Sequence, residues 1–222
     1  QELDLWWDLM TKKDSDIKWK RPKLPNGRQL PRKAAWLVSS ECKCCYRYSS
    51  TSWKPIIFPQ WFEKITNRVL KETGLQFENL PNSCNVNWYE NGTDSVGWHS
   101  DDESLFQSKY DDCLIISLSL GQSRKFEIKL MEQTFNINDD NNILIDDNIH
   151  PTIQVKQIIL HNGDIMTMEG LFQKYYQHRV PKSYDISKSR INFTWRWIKQ
   201  HYFYRDNCKL YTHKGPGNVK PL

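Results

Sequence analysis

The sequence predicts a mainly β protein with flanking helices, arranged as a sandwich or a barrel. From about residue 84 to residue 198, apolar residues recur with a period of two in short runs separated by turn residues, a pattern typical of these folds. Upstream of this region, apolar residues recur with the spacing of an α-helix. Ten Trp, ten Tyr and nine Phe in 222 residues supply the apolar surface of one folded domain, although the mean hydropathy is only -0.74.

Two helices are predicted in the first third of the chain. Residues 3–10 have the apolar pattern of an amphipathic helix. The clearer helix covers residues 59–71, because Pro59 suits a helix start and Gly74 a helix end. Its apolar positions follow the helical repeat: Trp61, Phe62, Ile65, Val69 and Leu70.

Short strands account for most of the remaining pattern. They are predicted, in chain order, at residues 34–38, 85–89, 114–120, 126–130, 153–160, 164–168 and 190–197. Residues 139–148 are acidic and rich in Asn, which indicates an exposed hairpin or insertion. The tail from residue 199 has no clear period. We therefore divide the chain into an N-terminal helix with a basic segment (1–33), one domain (34–198) and a C-terminal tail (199–222).

Composition narrows the class of protein. A net charge of +5 and a pI of about 8.8 are compatible with a polyanionic partner without being diagnostic of one. No apolar run is long enough to span a membrane, and the N-terminus lacks the features of a signal peptide. The six cysteines form no even disulfide framework. We expect a monomer of the nucleus, the cytoplasm or both, whose native chain extends upstream of Gln1.

Two further local patterns leave their roles open. Cys42 and Cys45 have zinc-knuckle spacing, but no second ligand pair accompanies them, so structural zinc is not predicted. The basic segment is either a solvated loop or a set of phosphate contacts. Its charges are Lys18, Lys20, Arg21, Lys23, Arg32 and Lys33.

The densest group of chemically active side chains lies at residues 98–103. His99 and Asp101 are two apart, so on a strand they project to one side and could supply two of the three ligands of a facial iron triad. Alone, such a pair is more often a polar turn. His178 could return to this pair as a third ligand, since several strands intervene. The other histidines lie in turns, the acidic segment or the tail: His150, His161, His201 and His213.

Residues 190–197 form the strongest single motif. Alternation places four apolar side chains on the core face, Ile191, Phe193, Trp195 and Trp197. The opposite face carries Arg190, Asn192, Thr194 and Arg196. Two guanidiniums on one face call for anions, which either a dicarboxylate co-substrate or protein carboxylates could supply. A second alternating stretch adds Asn85, Asn87 and Tyr89 as hydrogen-bonding groups.

These motifs together resemble the AlkB family of Fe(II)/2-oxoglutarate dioxygenases. The resemblance is carried by His99-x-Asp101, then His178, then Arg190-x-Asn192-x-Thr194-x-Arg196, with Asn87-x-Tyr89 upstream. It covers roughly residues 30–198. The acidic segment and the Cys-rich stretch at 42–45 depart from the family pattern.

The resemblance implies a double-stranded β-helix, or jelly roll, that uses Fe(II), 2-oxoglutarate and O2. The iron ligands would be His99, Asp101 and His178. Arg190 would hold the distal carboxylate of 2-oxoglutarate and Arg196 would lie near its other end. The same site would include Asn87, Tyr89, Asn192 and Thr194.

The implied reaction is oxidative demethylation of N1-methyladenine and N3-methylcytosine in DNA or RNA, preferably single-stranded, with release of formaldehyde, succinate and CO2. Both bases are cations, so the two carboxylates could attract them, with Asp102 preferred to Glu103 for this role; alternatively, both carboxylates orient the iron ligands. The expected nucleic-acid contacts are Arg32, Lys33, Tyr46, Tyr48 and Trp98. N6-methyladenine, a protein side chain or a lipid as substrate, and a reader without turnover, remain alternatives.

Overall fold

Two facing β-sheets and a layer of helices make up the domain. The computed structural model describes residues 1–24, 26–48, 51–76, 78–131, 154–203 and 209–214; for Tyr48 and from residue 201 onwards it describes the backbone alone. The predicted acidic segment 139–148 lies outside these residues.

The elements follow one another in a mainly β order. The helices are α1 (Glu2–Thr11), α2 (Gln60–Thr73) and α3 (Phe172–Tyr175). The first strands are β1 (Lys33–Val38), β2 (Tyr46–Tyr48), β3 (Thr51–Trp53), β4 (Ile56–Ile57), β5 (Ser83–Tyr89), β6 (Val96–His99) and β7 (Ile115–Gly121). The later strands are β8 (Arg124–Leu130), β9 (Lys156–Leu160), β10 (Ile165–Met168), β11 (Tyr176–Val180), β12 (Arg190–Arg196), β13 (Gln200–Phe203) and β14 (Lys209–Lys214).

The two main sheets are built from strands distant in sequence. The larger sheet has the order β10-β7-β12-β5-β1-β4, and the smaller has the order β6-β11-β8-β9. One core cluster lies between them, with Trp36 and Ile115 from the larger sheet and Phe126 and Val180 from the smaller. Any site between the sheets is therefore enclosed on two sides.

A second core cluster fills the space between the larger sheet and the helices. Strand β12 sends Phe193 and Trp195 into this layer, where they pack against Phe62 of α2. Trp6 and Met10 of α1 belong to the same cluster, so the N-terminal segment shares the core of the domain. The alternation predicted for residues 190–197 is confirmed, and its polar side faces the smaller sheet.

The predicted helix near residue 60 is also confirmed, together with its ends. Pro59 is its N-cap residue, and Gly74 ends it with a left-handed backbone at φ 69°, a conformation that glycine adopts without steric cost. No helix in the described part of the chain combines the length and apolar character needed to cross a membrane.

Three local elements differ from the sequence-based expectation. His178 was predicted between strands but lies within β11. Helix α3 was not predicted, because four residues are too few to show a helical period. In the C-terminal tail, β13 and β14 pair antiparallel, although the sequence has no regular alternation.

Candidate metal and co-substrate site

Strand β6 carries a β-bulge that aims His99 into the space between the sheets. His99 pairs with His178 on β11, but the next pair joins Val96 to Val180, so three steps on β6 match two on β11. Because of this extra residue, both His99 and Val96 line the central pocket. A bulge beside a functional site commonly redirects a side chain in this way.

The bulge also selects the ring nitrogen that His99 presents. Its Nδ1 lies 2.8 Å from the carbonyl oxygen of Gly97, so a hydrogen on Nδ1 donates to that oxygen and Nε2 carries the lone pair of the neutral ring. Nε2 is 3.7 Å from Oδ1 of Asp101, and Nε2 of His178 is 3.9 Å from Oδ2 of the same carboxylate. The three ligand atoms lie within 4.8 Å of one another and could hold a metal ion.

The charge states suit metal binding. Burial lowers the pKa of His99, and burial together with His99 lowers the pKa of His178 to about 3. Both imidazoles are therefore neutral near pH 7. Burial alone would raise the pKa of Asp101, but the adjacent Arg196 guanidinium, together with His178 and His99, outweighs burial and keeps the pKa well below its usual range. Two neutral imidazoles and one carboxylate are the donor set of non-heme Fe(II) sites.

Asp101 is held from three further directions. Its backbone N–H donates to Oε1 of Gln173 at 2.8 Å, its carbonyl accepts the Ser108 hydroxyl at 2.5 Å, and its carboxylate accepts a hydrogen bond from Arg196. Gln173 is 1% exposed and was not predicted as a site residue. A glutamine in so short a helix carries no sequence signal, and its role depends on where α3 docks.

We expect Gln173→Leu to weaken metal binding, because the Asp101 amide loses its acceptor while side-chain volume is nearly kept. Loss of such supporting contacts typically costs about 10- to 100-fold in metal affinity. The measurement is Mn(II) titration of the chelator-treated protein by calorimetry. Gln177→Leu, on the neighbouring strand and half-buried, is the matched control. Equal affinities in the two variants would show that Gln173 is only a packing residue.

A polar belt on the larger sheet faces the metal ligands. Register brings Asn192 opposite Asn87 on one side and Ser119 on the other, with Thr194 opposite Asn85. The predicted co-substrate residues that line the pocket are Asn87, Tyr89, Asn192, Thr194 and Arg196. The apolar walls are Val96, Phe126, Met166, Met168 and Val180.

Arg190 lies directly behind this belt. It is 1% exposed, and its Nη2 donates to the Ser119 hydroxyl at 2.7 Å and to Oδ1 of Asn192 at 2.6 Å. Its Nε and Nη1 are buried without a hydrogen-bond partner, and no carboxylate of the described residues forms an ion pair with it. Burial lowers its pKa to about 10, so it remains a cation at neutral pH. Such a charge calls for an anionic ligand.

Arg21, Arg32 and Lys33 of the basic segment are held by contacts within the protein. Arg21 forms ion pairs with Asp94 at 2.6 Å and Glu90 at 2.8 Å, and Lys33 reaches Glu90 at 2.6 Å. Arg32 is buried, donates to Oδ1 of Asn87 at 2.6 Å and lines the pocket. Among the six charges named for the segment, Lys18, Lys20 and Lys23 are exposed.

The structure gives Asp102 and Glu103 different surroundings. Asp102 is half-exposed and pairs with Lys109 at 2.9 Å, and neither carboxylate is among the residues that line the pocket. Glu103 accepts the Tyr46 hydroxyl at 2.5 Å, and its Oε2 is buried without a partner. Burial, with the nearby Asp101, raises the pKa of Glu103 to about 7.

Of the two predicted aromatic contacts whose side chains are described, Tyr46 lines the pocket and Trp98 does not. Trp98 lies on the outer face of the smaller sheet, where the Arg179 guanidinium is 4.5 Å and the Lys129 ammonium 4.9 Å from its ring centre. Trp98 immediately precedes His99 on β6, so strand alternation places it on the face opposite the pocket. The Tyr48 side chain lies outside the described residues.

Comparison with known proteins agrees with this geometry. A sequence profile described as the 2OG-Fe(II) oxygenase superfamily matches residues 5–196. The chain therefore belongs to the 2OG-Fe(II) oxygenase superfamily, an enzyme class that uses iron, 2-oxoglutarate and O2.

Individual relatives confirm the resemblance to AlkB proteins. Human alpha-ketoglutarate-dependent dioxygenase alkB homolog 3 is 34% identical over 174 residues, covering 77% of this chain and 52% of that protein. The Arabidopsis thaliana DNA oxidative demethylase ALKBH2 is 28% identical over 204 residues, covering 86% and 62%. The chain thus spans about half the length of the human relative.

The solved structure of OsALKBH1 matches with a TM-score of 0.52 at 17% identity, over 88% of this chain and 91% of that one. At this identity the likeness concerns the fold, and it supports the predicted jelly roll.

Proposed function

We propose that this protein is an Fe(II)/2-oxoglutarate-dependent dioxygenase that removes methyl groups from N1-methyladenine and N3-methylcytosine in single-stranded DNA or RNA. The observation that carries the proposal is a metal-ligand cluster facing a pocket whose far wall hides a buried guanidinium without a counter-ion. A divalent metal would bind the ligand cluster, and a dicarboxylate would neutralise the guanidinium. The names of the relatives, a dioxygenase and a DNA oxidative demethylase, support the substrate class.

Each group has a defined task in this proposal. Fe(II) would be held by His99, Asp101 and His178, and the distal carboxylate of 2-oxoglutarate by Arg190. With O2, the loaded centre supplies the oxidising power that turns an N-methyl group into a hemiaminal, which releases formaldehyde, while 2-oxoglutarate becomes succinate and CO2.

The chain itself contributes position and exclusion of water. Asn87 and Asn192 orient the co-substrate from the polar belt. Phe126, stacked at 5.3 Å on the His178 ring, and Met168 close the other side with apolar surface. A reacting group held between these walls is screened from bulk solvent, so the oxidising equivalents are directed to the substrate.

Recognition of a cationic base falls to Glu103 in this proposal. Its buried Oε2 has no partner, and its other oxygen is fixed by Tyr46, which lines the pocket. A base cation entering here loses hydration, and a carboxylate within reach offsets that loss. Asp102, already paired with Lys109, has less to offer.

We expect Glu103→Gln to lower kcat/KM for N1-methyladenine and N3-methylcytosine by about ten- to a hundredfold, equivalent to roughly 1–3 kcal/mol of charge recognition. Asp102→Asn should change it by less than about threefold, as for other exposed ion pairs. The measurement is kcat/KM at saturating iron and 2-oxoglutarate, with neutral N6-methyladenine as control. A larger loss in Asp102→Asn, or equal losses on cationic and neutral bases, would contradict charge selection by Glu103.

The test of the whole proposal is formaldehyde release from a panel of methylated oligonucleotides. The panel combines DNA with RNA, single with double strands, and N1-methyladenine, N3-methylcytosine and N6-methyladenine. We expect the highest turnover on single-stranded substrates with cationic bases. Binding without formaldehyde or succinate would instead define a reader. Absence of both binding and turnover on every oligonucleotide would direct attention to protein substrates.

A further inference from the structure

The inner face of β11 continues beyond the metal ligands into an exposed apolar surface. His178 pairs with Ile128 of β8, and Tyr176 pairs with Leu130. Residues two apart on a strand share a face, so Tyr176 and Leu130 form the next rung on the side that carries His178. Tyr176 is 37% exposed and Leu130 52%. The rung lies roughly 7 Å from His178 along the strand, given the rise of a β-strand.

Helix α3 holds this rung in place. The Phe172 ring stacks on Tyr176 with centroids 5.1 Å apart and an interplanar angle of 18°, and it lies 6.2 Å from the His178 ring. The Tyr176 carbonyl accepts the Ser100 hydroxyl at 2.8 Å, which ties the rung to the segment between two of the candidate metal ligands. We call Phe172, Tyr176 and Leu130 the apolar step.

Two exposed lysines flank the apolar step. Lys174 precedes Tyr176 by two residues, and its ammonium lies 5.1 Å from the Tyr175 ring centre. Lys156 pairs with Ile128 across β8 and β9, so it shares the inner face with His178. Neither forms an ion pair with a carboxylate of the described residues. The apolar step thus offers a flat aromatic surface with exposed cations beside it. Single-stranded nucleic acid has the matching chemistry, because its bases stack on aromatic rings and its phosphates bind cations.

We propose that the apolar step stacks the base next to the nucleotide being demethylated, with Lys174 and Lys156 contacting adjacent phosphates. This inference rests on the proposed function and deepens it. The target base must place its methyl group at the metal ligands, and the step lies about two base-stacking distances further out. A neighbouring base reaches the step only when it is not paired in a duplex, so the step also favours single strands.

The test compares Tyr176→Ala, Tyr176→Phe and Tyr184→Ala on two substrates. Tyr184 is 79% exposed and follows the opposite end of β11, so it is the matched control. The substrates are N1-methyladenosine monophosphate and a DNA pentanucleotide with a central N1-methyladenine. Stacking of one base is typically worth about a 5- to 150-fold change in affinity. We expect a loss in this range for Tyr176→Ala on the pentanucleotide, wild-type turnover of the mononucleotide, and little change in the other two variants.

A second readout is independent of catalysis. Fluorescence anisotropy of a labelled, unmethylated pentanucleotide, measured without 2-oxoglutarate, should show the same loss for Tyr176→Ala. Equal losses on mononucleotide and pentanucleotide would place Tyr176 against the target base and overturn the inference. Unchanged pentanucleotide binding would also overturn it, because another segment would then cover the step. If the wild-type protein demethylates none of the substrates, the proposed function is refuted. The anisotropy measurement still tests whether the apolar step binds a base.

Discussion

Replacing Arg190 with alanine is expected to raise the 2-oxoglutarate concentration needed for half-maximal turnover by about two to three orders of magnitude. Truncating one partner of a buried, hydrogen-bonded charge pair costs roughly 3–5 kcal/mol, much of it from the charge left without a partner. Arg190 fits this case because its Nε and Nη1 are buried without partners and no described carboxylate neutralises it. The measurement is the KM for 2-oxoglutarate, followed by succinate release on a fixed methylated substrate.

Ligand-free stability gives an independent check on the same side chain. A buried guanidinium without a counter-ion destabilises the free protein, so Arg190→Met should not lower the free energy of unfolding in the absence of 2-oxoglutarate. The rise in Tm that 2-oxoglutarate produces by binding the native state should be lost in both variants. Arg68→Ala, an exposed arginine paired with Glu72, is the control. An unchanged KM together with a wild-type Tm rise would refute the role of Arg190.

Sequence reasoning predicted the features that depend on the alternation of apolar and polar residues along a strand. In β12, Phe193 and Trp195 face the helices, and Asn192 and Arg196 face the pocket, as a period of two requires. The metal ligands were identified because a His-x-Asp pair, a distant histidine and an arginine-rich strand form a specific combination. His178 could be chosen without knowing that it lies in β11 opposite His99.

The features that sequence reasoning missed depend on contacts between distant segments. Gln173 supports Asp101 because α3 docks beside it, and nothing local indicates that docking. The bulge in β6 decides that Val96 and His99 both line the pocket, and one extra residue in a strand reverses a side chain without changing composition. Asp102 was preferred to Glu103 because adjacent carboxylates look equivalent until Lys109 and Tyr46 select between them.

The candidate metal ligands His99 and Asp101 should respond differently to removal, although both alanine variants are expected to abolish succinate release and Mn(II) binding. His99 is held mainly through its own strand, and Nδ1 contacts the Gly97 carbonyl, so His99→Ala should keep near wild-type stability. Asp101 also forms a buried ion pair with Arg196. Asp101→Ala leaves that guanidinium without its main counter-ion and should cost about 3–5 kcal/mol of unfolding free energy.

The measurement is urea unfolding in the presence of a chelator, which removes any contribution of bound metal to stability. The double variant Asp101→Ala/Arg196→Met separates metal binding by Asp101 from its ion pair with Arg196. Because Arg196 is replaced as well, no guanidinium is left there without its counter-ion. We expect it to recover most of the stability lost in Asp101→Ala while remaining inactive and unable to bind Mn(II). Turnover in either single variant would refute the metal assignment. Equal unfolding free energies for His99→Ala and Asp101→Ala would show that Arg196 finds sufficient compensation from Glu103, another carboxylate whose charge acts on it.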